Sequence, residues 1–293
     1  MKRILVIGRS GQLAGALAGA AWPEGWRVLC RGREGVDLAR PASARDAVLA
    51  ERPDLVINAA AYTAVDKAES EPDLAYAVNR DGPAALAEAC LALGAPLVHV
   101  STDYVFDGRK AGAYVEDDPV NPSSVYGASK EAGERAIRER LPAHVILRSA
   151  WIYAPAGHNF VRTMLRLGRE RAEIRVVQDQ VGSPTAAEEL ARAVLAAAMR
   201  LLAGGRDFGT FHFAGAGSTS WFGFAEAIFD LAGPPRPRLV PIATADYPTP
   251  ARRPANSVLD STKFSRLYGV AARPWRESLA RCLAAIAARE TAA

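Results

Sequence analysis

The sequence predicts an α/β protein, a Rossmann-type doubly wound parallel sheet with a smaller C-terminal substrate-binding region. Three observations predict it. Short, continuously apolar, β-branched runs alternate with alanine-rich helical stretches through the first half of the 293 residues, the pattern of parallel strands covered on both faces. A glycine-rich turn, Gly8-Arg9-Ser10-Gly11-Gln12-Leu13-Ala14, joins the first apolar run to the first helical stretch. Beyond about residue 150 the alternation loosens into Gly- and Pro-rich connections, notably 233–237 and 247–250.

Taken in order, residues 4–7 read as a buried strand and 11–20 as a helix. Residues 26–30 read as the second strand, 43–51 as a helix, and 54–58 as the third strand. A helix over 72–93 leads to a fourth strand at 96–100, and a helix over 124–140 to a fifth at 144–148. Further on, helices are expected near 159–169, 185–203 and 220–232, with a strand at 174–177. This divides the chain softly into a dinucleotide-binding domain, 1–150, and a mainly substrate-binding region, 151–293, parts of which return to the sheet. Residues 290–293 are expected to fray.

Composition narrows the function class. With 49% apolar and 23% charged residues, the chain can bury a core and is neither disordered nor fibrous. The apolar start ends at Gly8, too early for a secretory signal, and no stretch reaches the roughly 18–20 apolar residues of a membrane span. Cys30, Cys90 and Cys282 are odd in number and widely spaced, as in a reducing compartment. A cytoplasmic protein without membrane contact is expected. His99, His144, His158 and His212 lie far apart, so no local metal motif is visible. The formal charge of +4 suits an anionic small molecule; nucleic-acid binding would need a clustered basic stripe, and none is found. Lysines occur only at positions 2, 67, 110, 130 and 263, the other basic side chains being arginine, which draws attention to each lysine.

The glycine turn suits a dinucleotide. Gly8 and Gly11 let the backbone turn tightly and approach a pyrophosphate, Gln12 and Leu13 open the helix whose free N–H groups meet its charge, and Ala14 keeps the helix close to the strand. Arg31 stands at the end of the second strand, where NAD-binding folds usually carry a carboxylate for the ribose 2′-hydroxyl. Arg31 and Arg33 suit a 2′-phosphate instead, so NADPH is expected, with NADH possible. Asp37 and Leu38 fall where the adenine would lie.

The chemistry is read from Thr102, Tyr126 and Lys130. Ser101-Thr102-Asp103 ends the fourth strand, where open parallel sheets bind ligands. Tyr126 and Lys130, four residues apart, share one helix face. Reducing a ketone creates an alkoxide that needs a proton. A tyrosine beside a cation can supply it, and Thr102 can hydrogen-bond the same oxygen. With 8 tyrosines and the five lysines, about 0.14 such pairs arise by accident, so the assignment rests on the conjunction with Thr102 and the glycine turn.

Together these residues resemble the extended short-chain dehydrogenase/reductase superfamily and, within it, the dTDP-4-dehydrorhamnose reductases. The resemblance covers nearly the whole chain and is most specific at 58–69, 179–185 and 247–257. It implies NADPH-dependent reduction of the C4 ketone of dTDP-4-dehydro-β-L-rhamnose to dTDP-β-L-rhamnose. It places the cofactor also on Ala61, Tyr62 and Thr63 and on Tyr126 and Lys130, and makes Tyr126 the proton donor. The deoxysugar would meet Thr102, Asp103 and Trp151, with Asn159 and Arg253 as candidates for the nucleotide diphosphate. A reductase of another dTDP-4-keto-6-deoxysugar stays open, as does a non-catalytic regulatory subunit resembling the methionine adenosyltransferase β subunit; the complete Thr102–Tyr126–Lys130 set argues for catalysis. Some members of the family dimerise around Mg²⁺ held by glutamates. Ala16 stands at one of those positions and cannot ligate a hard cation, although Glu188 stands at another. No Mg²⁺ is therefore expected at a dimer interface, and the chain is expected to be a monomer or weak homodimer.

Overall fold

A computed structural model describes residues 1–291. The alternation of the first half folds into β1 (Lys2–Ile7), α1 (Gln12–Ala18), β2 (Trp26–Arg31), α2 (Pro41–Glu51), β3 (Leu55–Asn58), α3 (Val65–Ala68), α4 (Pro72–Tyr76), α5 (Gly82–Leu93), β4 (Leu97–Thr102), α6 (Val125–Arg140) and β5 (His144–Ser149). The second half adds β6 (Ile152–Tyr153), α7 (Phe160–Glu170), β7 (Glu173–Val177), β8 (Val181–Gly182), β9 (Thr185–Ala186) and α8 (Ala187–Leu202). It ends with β10 (Gly209–His212), β11 (Thr219–Ser220), α9 (Trp221–Ala232), β12 (Arg238–Ile242), α10 (Thr262–Tyr268) and α11 (Trp275–Thr291).

The central sheet has six strands in the order β2-β1-β3-β4-β5-β10, all parallel. Strands this apolar need cover on both faces. Leu13 and Leu17 of α1 and Leu190, Val194 and Leu201 of α8 pack on one face with Ile4, Val6 and Ile57. Val48 of α2, Leu86 of α5 and Ile137 of α6 pack on the other with Leu5, Val56 and Ile146. A third cluster, built on Val161, Ile174, Phe224, Ile228 and Leu283, joins α7, α9 and α11 to the β7–β12 pair. The same half of the chain returns β10 to the sheet edge and α8 to the sheet face.

Two expectations need correction. The helix expected over 72–93 is interrupted by a π-helical turn at Ala77–Asp81. Pro83 follows it and has no N–H to give the carbonyl of Asn79 four residues back. That carbonyl instead abuts Gly133 of α6, where a Cβ would overlap it. Strands β10 and β12 and helices α10 and α11 fall in the half where the periodicity is weak. The expected fraying holds at neither Glu290 nor Thr291: α11 runs to Thr291, and Glu290 accepts a hydrogen bond from Arg169 Nη2 at 2.8 Å. Ala292 and Ala293 lie outside the described residues.

Helix α6 is anchored from below. Glu134, fully buried, accepts three hydrogen bonds from Arg148 of β5 at 2.7, 2.9 and 3.2 Å and one from Arg138 at 3.0 Å. A buried charge pair so thoroughly hydrogen-bonded fixes position more than it adds stability. Here it fixes the helix that carries Tyr126 and Lys130.

Candidate active site

The chain leaves β1 towards β2 on one side and returns to β3 on the other, so the C-terminal ends of β1 and β3 diverge. Open parallel sheets bind ligands at this switch point. A cleft of about 970 Å³ opens there, reaching from Arg31 and Arg33 past the glycine turn to Tyr126, Trp151 and Trp221. Its size lies at the upper end of small-molecule sites. Gly8 turns at φ +125°, and a Cβ there would sit 3.3 Å from the Ala14 methyl, so only glycine suits the position. The cleft therefore fits a dinucleotide where the sequence expects one.

Thr102 ends β4 nearly buried, its Oγ1 donating to Asp103 Oδ1 at 3.0 Å and accepting the Tyr104 N–H at 3.2 Å. The next helix starts at a Ser124 cap whose hydroxyl accepts the Gly127 N–H. Gly127 itself touches the Tyr104 carbonyl, and a Cβ would overlap it. This close approach sets Tyr126 beside Thr102 in the cleft. Burial, above all, pushes the Tyr126 phenol up to about 12, against the opposing effect of the Thr102 hydroxyl. Burial likewise pulls Lys130 down to about 8.

Lys130 is not among the groups that shift the Tyr126 phenol. The Lys130 Nζ donates to the Val100 carbonyl at 2.8 Å and lies 3.3 Å from His99 Nε2, and desolvation dominates at the phenol. Asp103 is raised to about 6, by burial first, with hydrogen bonds from Ser257 and Thr102 opposing. Its Oδ2 is buried without a well-formed hydrogen bond among the described residues.

The structure brings most sequence-predicted residues to this one cleft. Gly8, Gly11, Gln12 and Leu13 line its floor, and Ala61, Tyr62 and Thr63 its opposite wall. Arg31, Arg33, Asp37 and Leu38 line one end. Arg31 pairs there with Glu51, and Arg33 lies 3.6 Å from Asp37. Asp37 also accepts the Ala39 N–H, which makes it a turn residue as well as a wall. Thr102, Asp103 and Trp151 line the other end. Trp151, at φ +47°, lies flat against Trp221 with ring centroids 3.4 Å apart.

Asn159 and Arg253 are not among the lining residues. Asn159 is the N-cap of α7: it accepts the Arg162 N–H, and its amide donates to Ala154 O and Gln12 Oε1, both at 2.9 Å. It supports Gln12 from behind. Arg253 grips Asp66 through both guanidinium nitrogens, at 2.8 and 3.0 Å.

Sequence reasoning missed Asn79, which ties the 62–63 wall to α6, and Trp221, which completes the aromatic wall. It also missed Arg9, paired with Glu34 at the Arg31 end, and the Tyr62–Glu71–Lys67 group. A capping Ser220 before Trp221 was the one local sign for the tryptophan. No group of three or more His, Cys, Asp or Glu side chains that could hold a metal occurs among the described residues. Ala16 packs against the core below the sheet, and Glu188 is paired with Arg281 at 3.3 Å. No helix among the described residues is long and apolar enough to cross a membrane.

A parallel six-stranded sheet, a glycine turn at its switch point and a Thr–Tyr–Lys set at the strand ends define a Rossmann-type member of the short-chain dehydrogenase/reductase superfamily. More narrowly, the sequence profile of the RmlD substrate binding domain matches residues 1–288, and the chain belongs to that family. It is 46% identical over 289 residues to the dTDP-4-dehydrorhamnose reductase of Sinorhizobium fredii, covering 97% of each chain. The crystal structure of a dTDP-4-dehydrorhamnose reductase from Clostridium acetobutylicum superposes with a TM-score of 0.91 at 39% identity, covering 96% of this chain and 98% of that one. A Bacillus anthracis dTDP-4-dehydrorhamnose reductase, solved in complex with NADP, superposes with a TM-score of 0.90 at 38% identity, covering 97% and 99%.

Proposed function

We propose that the chain is an NADPH-dependent dTDP-4-dehydrorhamnose reductase, converting the C4 ketone of dTDP-4-dehydro-β-L-rhamnose to the alcohol of dTDP-β-L-rhamnose. The single observation that carries this reading is the juxtaposition of Thr102, Tyr126 and Lys130 in one cleft with the Gly8–Leu13 turn, in a chain whose relatives bear that name along their full length. The bound dinucleotide supplies the hydride. The protein's own groups handle the oxygen that receives the negative charge. Thr102 and Tyr126 face that oxygen, and the buried phenol keeps its proton at neutral pH until a stronger base, the alkoxide, takes it. Asp103 accepts sugar hydroxyls, and the Trp151–Trp221 wall covers apolar C–H surface while excluding water.

In this reading residues 1–150 supply the dinucleotide half and 151–293 mainly the substrate half. The arginines at 31 and 33 favour NADPH over NADH. The chain works in the cytoplasm, in keeping with its three free cysteines, as a monomer or weak homodimer. A sugar epimeric to this substrate would meet the same catalytic trio, so specificity rests on the shape of the substrate half. The test is NADPH oxidation with dTDP-4-dehydrorhamnose compared with its epimers. Turnover fastest with dTDP-4-dehydrorhamnose is expected; faster turnover of an epimer would reassign the substrate, and no turnover of any would favour the regulatory reading.

A further inference from the structure

Gln12 belongs to the glycine turn, yet both polar atoms of its side chain are bound to the other half of the chain. Its Nε2 donates to the Ile152 carbonyl at 3.2 Å, and its Oε1 accepts from Asn159 Nδ2 at 2.9 Å. Each of these partners is the chain neighbour of an aromatic ring at the far end of the cleft. Ile152 follows Trp151, and Asn159 precedes Phe160. Trp151 lies flat on Trp221 with centroids 3.4 Å apart, and Phe160 packs on the same Trp221 at 4.7 Å. The contacts therefore close a ring from Gln12 through Ile152, Trp151, Trp221, Phe160 and Asn159 back to Gln12.

The hydrogen bonds of this ring run in a single direction. The Arg162 N–H can only donate, so it fixes Asn159 Oδ1 towards itself at 3.1 Å. Asn159 Nδ2 then faces two acceptors, the Ala154 carbonyl at 2.9 Å and Gln12. Gln12 must present its oxygen there, which leaves its nitrogen for the Ile152 carbonyl, a group that can only accept. Turning either amide would set like groups against each other. Trp151 needs such support, because its φ of +47° lies in the left-handed region that bulky residues rarely adopt. Its carbonyl accepts the Thr185 N–H at 3.2 Å, Trp221 covers its ring, Gly182 leaves room beside it, and the next carbonyl is pinned by Gln12.

We propose that the Gln12 side chain is a positioning group for the aromatic wall and not a contact of the dinucleotide. It fixes Trp151 and Phe160, and through them Trp221, in register with the glycine turn, and so sets the affinity for the sugar end of the substrate. That last step rests on the reductase reading. The turn meets a pyrophosphate with its main chain, and an amide engaged at both ends would have to break a bond to turn towards a ligand. A sugar's C–H face packs well only on rings whose planes are already set. A wall released from Gln12 would have to be ordered on binding, at a cost in affinity.

Gln12→Met tests this, keeping the length and bulk of the side chain while removing both hydrogen bonds. The first readout needs no substrate. Two stacked indoles give coupled bands in far-ultraviolet circular dichroism, assigned to this pair by their loss in Trp221→Phe. In Gln12→Met these bands should lose most of their amplitude. The NADPH dissociation constant should stay within about twofold of wild type while the KM for the sugar nucleotide rises about tenfold. Asn159→Ser retains a cap for α7 but offers Gln12 no donor, and should lose the same bands. Combining the two changes should add little to either alone, as for residues acting through one contact. Intact bands in a folded Gln12→Met protein would overturn the proposal, as would an unchanged KM for the sugar nucleotide or a loss of NADPH affinity of about tenfold. If Gln12→Met fails to fold, Asn159→Ser decides on the same readouts. If the wild type reduces no keto-sugar, the reductase reading fails, while the coupled bands and the NADPH titration still decide this one.

Discussion

Asn79 holds both main-chain polar groups of Tyr62. Its Oδ1 accepts the Tyr62 N–H at 2.8 Å and its Nδ2 donates to the Tyr62 carbonyl at 3.0 Å, while the same Nδ2 reaches Ser129 Oγ at 3.0 Å. Ser129 in turn donates to the Tyr126 carbonyl at 2.8 Å. The π-helical turn that carries Asn79 thus couples the 61–63 wall to the helix bearing Tyr126 and Lys130, a placement typical of such turns at functional sites.

Replacing Asn79 with Ala leaves two main-chain groups without partners, at a cost of about 1–3 kcal/mol in stability. The wall also loosens where the cofactor is expected. A rise of about tenfold in the NADPH dissociation constant is expected, equivalent to about 1.4 kcal/mol, and fluorescence titration measures it. Unchanged affinity in a destabilised variant would confine Asn79 to a structural role.

Tyr126→Phe removes the phenolic proton while keeping the ring against Tyr104, with which it makes an edge contact at 5.6 Å. Turnover should fall by about 10²–10⁴, the usual worth of a positioned acid, with the NADPH dissociation constant within about twofold of wild type. Retained turnover would remove Tyr126 from the role of proton donor.

The trio and the glycine turn were legible because each occupies a fixed offset from an apolar strand: Gly8 directly after β1, Thr102 at the end of β4. Chemistry at strand ends needs particular residue types there, and the strand itself is the ruler. Asn79 and Trp221 carry no such ruler. Asn79 reaches Ser129 across 50 residues, through a widened turn that helical periodicity does not foresee. Asn159 and Arg253 show the converse limit. Their types suit a diphosphate, but type does not reveal the partner, and Arg253 finds Asp66 from 187 residues away. The strand β10 escaped notice because Gly209-Thr210-Phe211-His212 is short and mixed in polarity, and becomes a strand through its pairing with β5.

Arg31 tests the cofactor preference. It shares its charge with Glu51, so part of its field is already balanced. A charge-assisted hydrogen bond to a 2′-phosphate contributes roughly 1.5–3 kcal/mol, so Arg31→Ala should raise the KM for NADPH by about tenfold or more. The KM for NADH, which lacks that phosphate, should change by less than about twofold. An equal rise for both cofactors would mean that Arg31 acts only by holding α2 through Glu51.

Gly182 lies under the aromatic wall. A Cβ there would stand 2.5 Å from Trp151 Cε2 and 2.8 Å from Ser257 Oγ. Gly182→Ala therefore displaces Trp151 from Trp221 and disturbs the serine beside Asp103. The KM for the sugar nucleotide should rise by about tenfold with the NADPH dissociation constant unchanged, a loss of about 1.4 kcal/mol confined to one end of the cleft. A matching loss of cofactor affinity would show that the two ends are not independent.

Asp103 gives the clearest link between pH and stability. Its folded pKa of about 6 lies above the ordinary 3.8, so between these values the folded chain retains a proton that the unfolded chain has released. Stability from this group falls as pH rises through that window. At roughly 1.4 kcal/mol per pKa unit, the deficit above pH 6 is of the order of 3 kcal/mol. Asp103→Asn carries no such charge. The variant should be more stable than wild type at pH 7, with the difference shrinking towards pH 4 in urea titrations, while its kcat/KM for the keto-sugar falls because an acceptor for sugar hydroxyls is lost. A variant less stable than wild type at pH 7 would show that the carboxylate is better paired in solution than its buried, unsatisfied Oδ2 indicates.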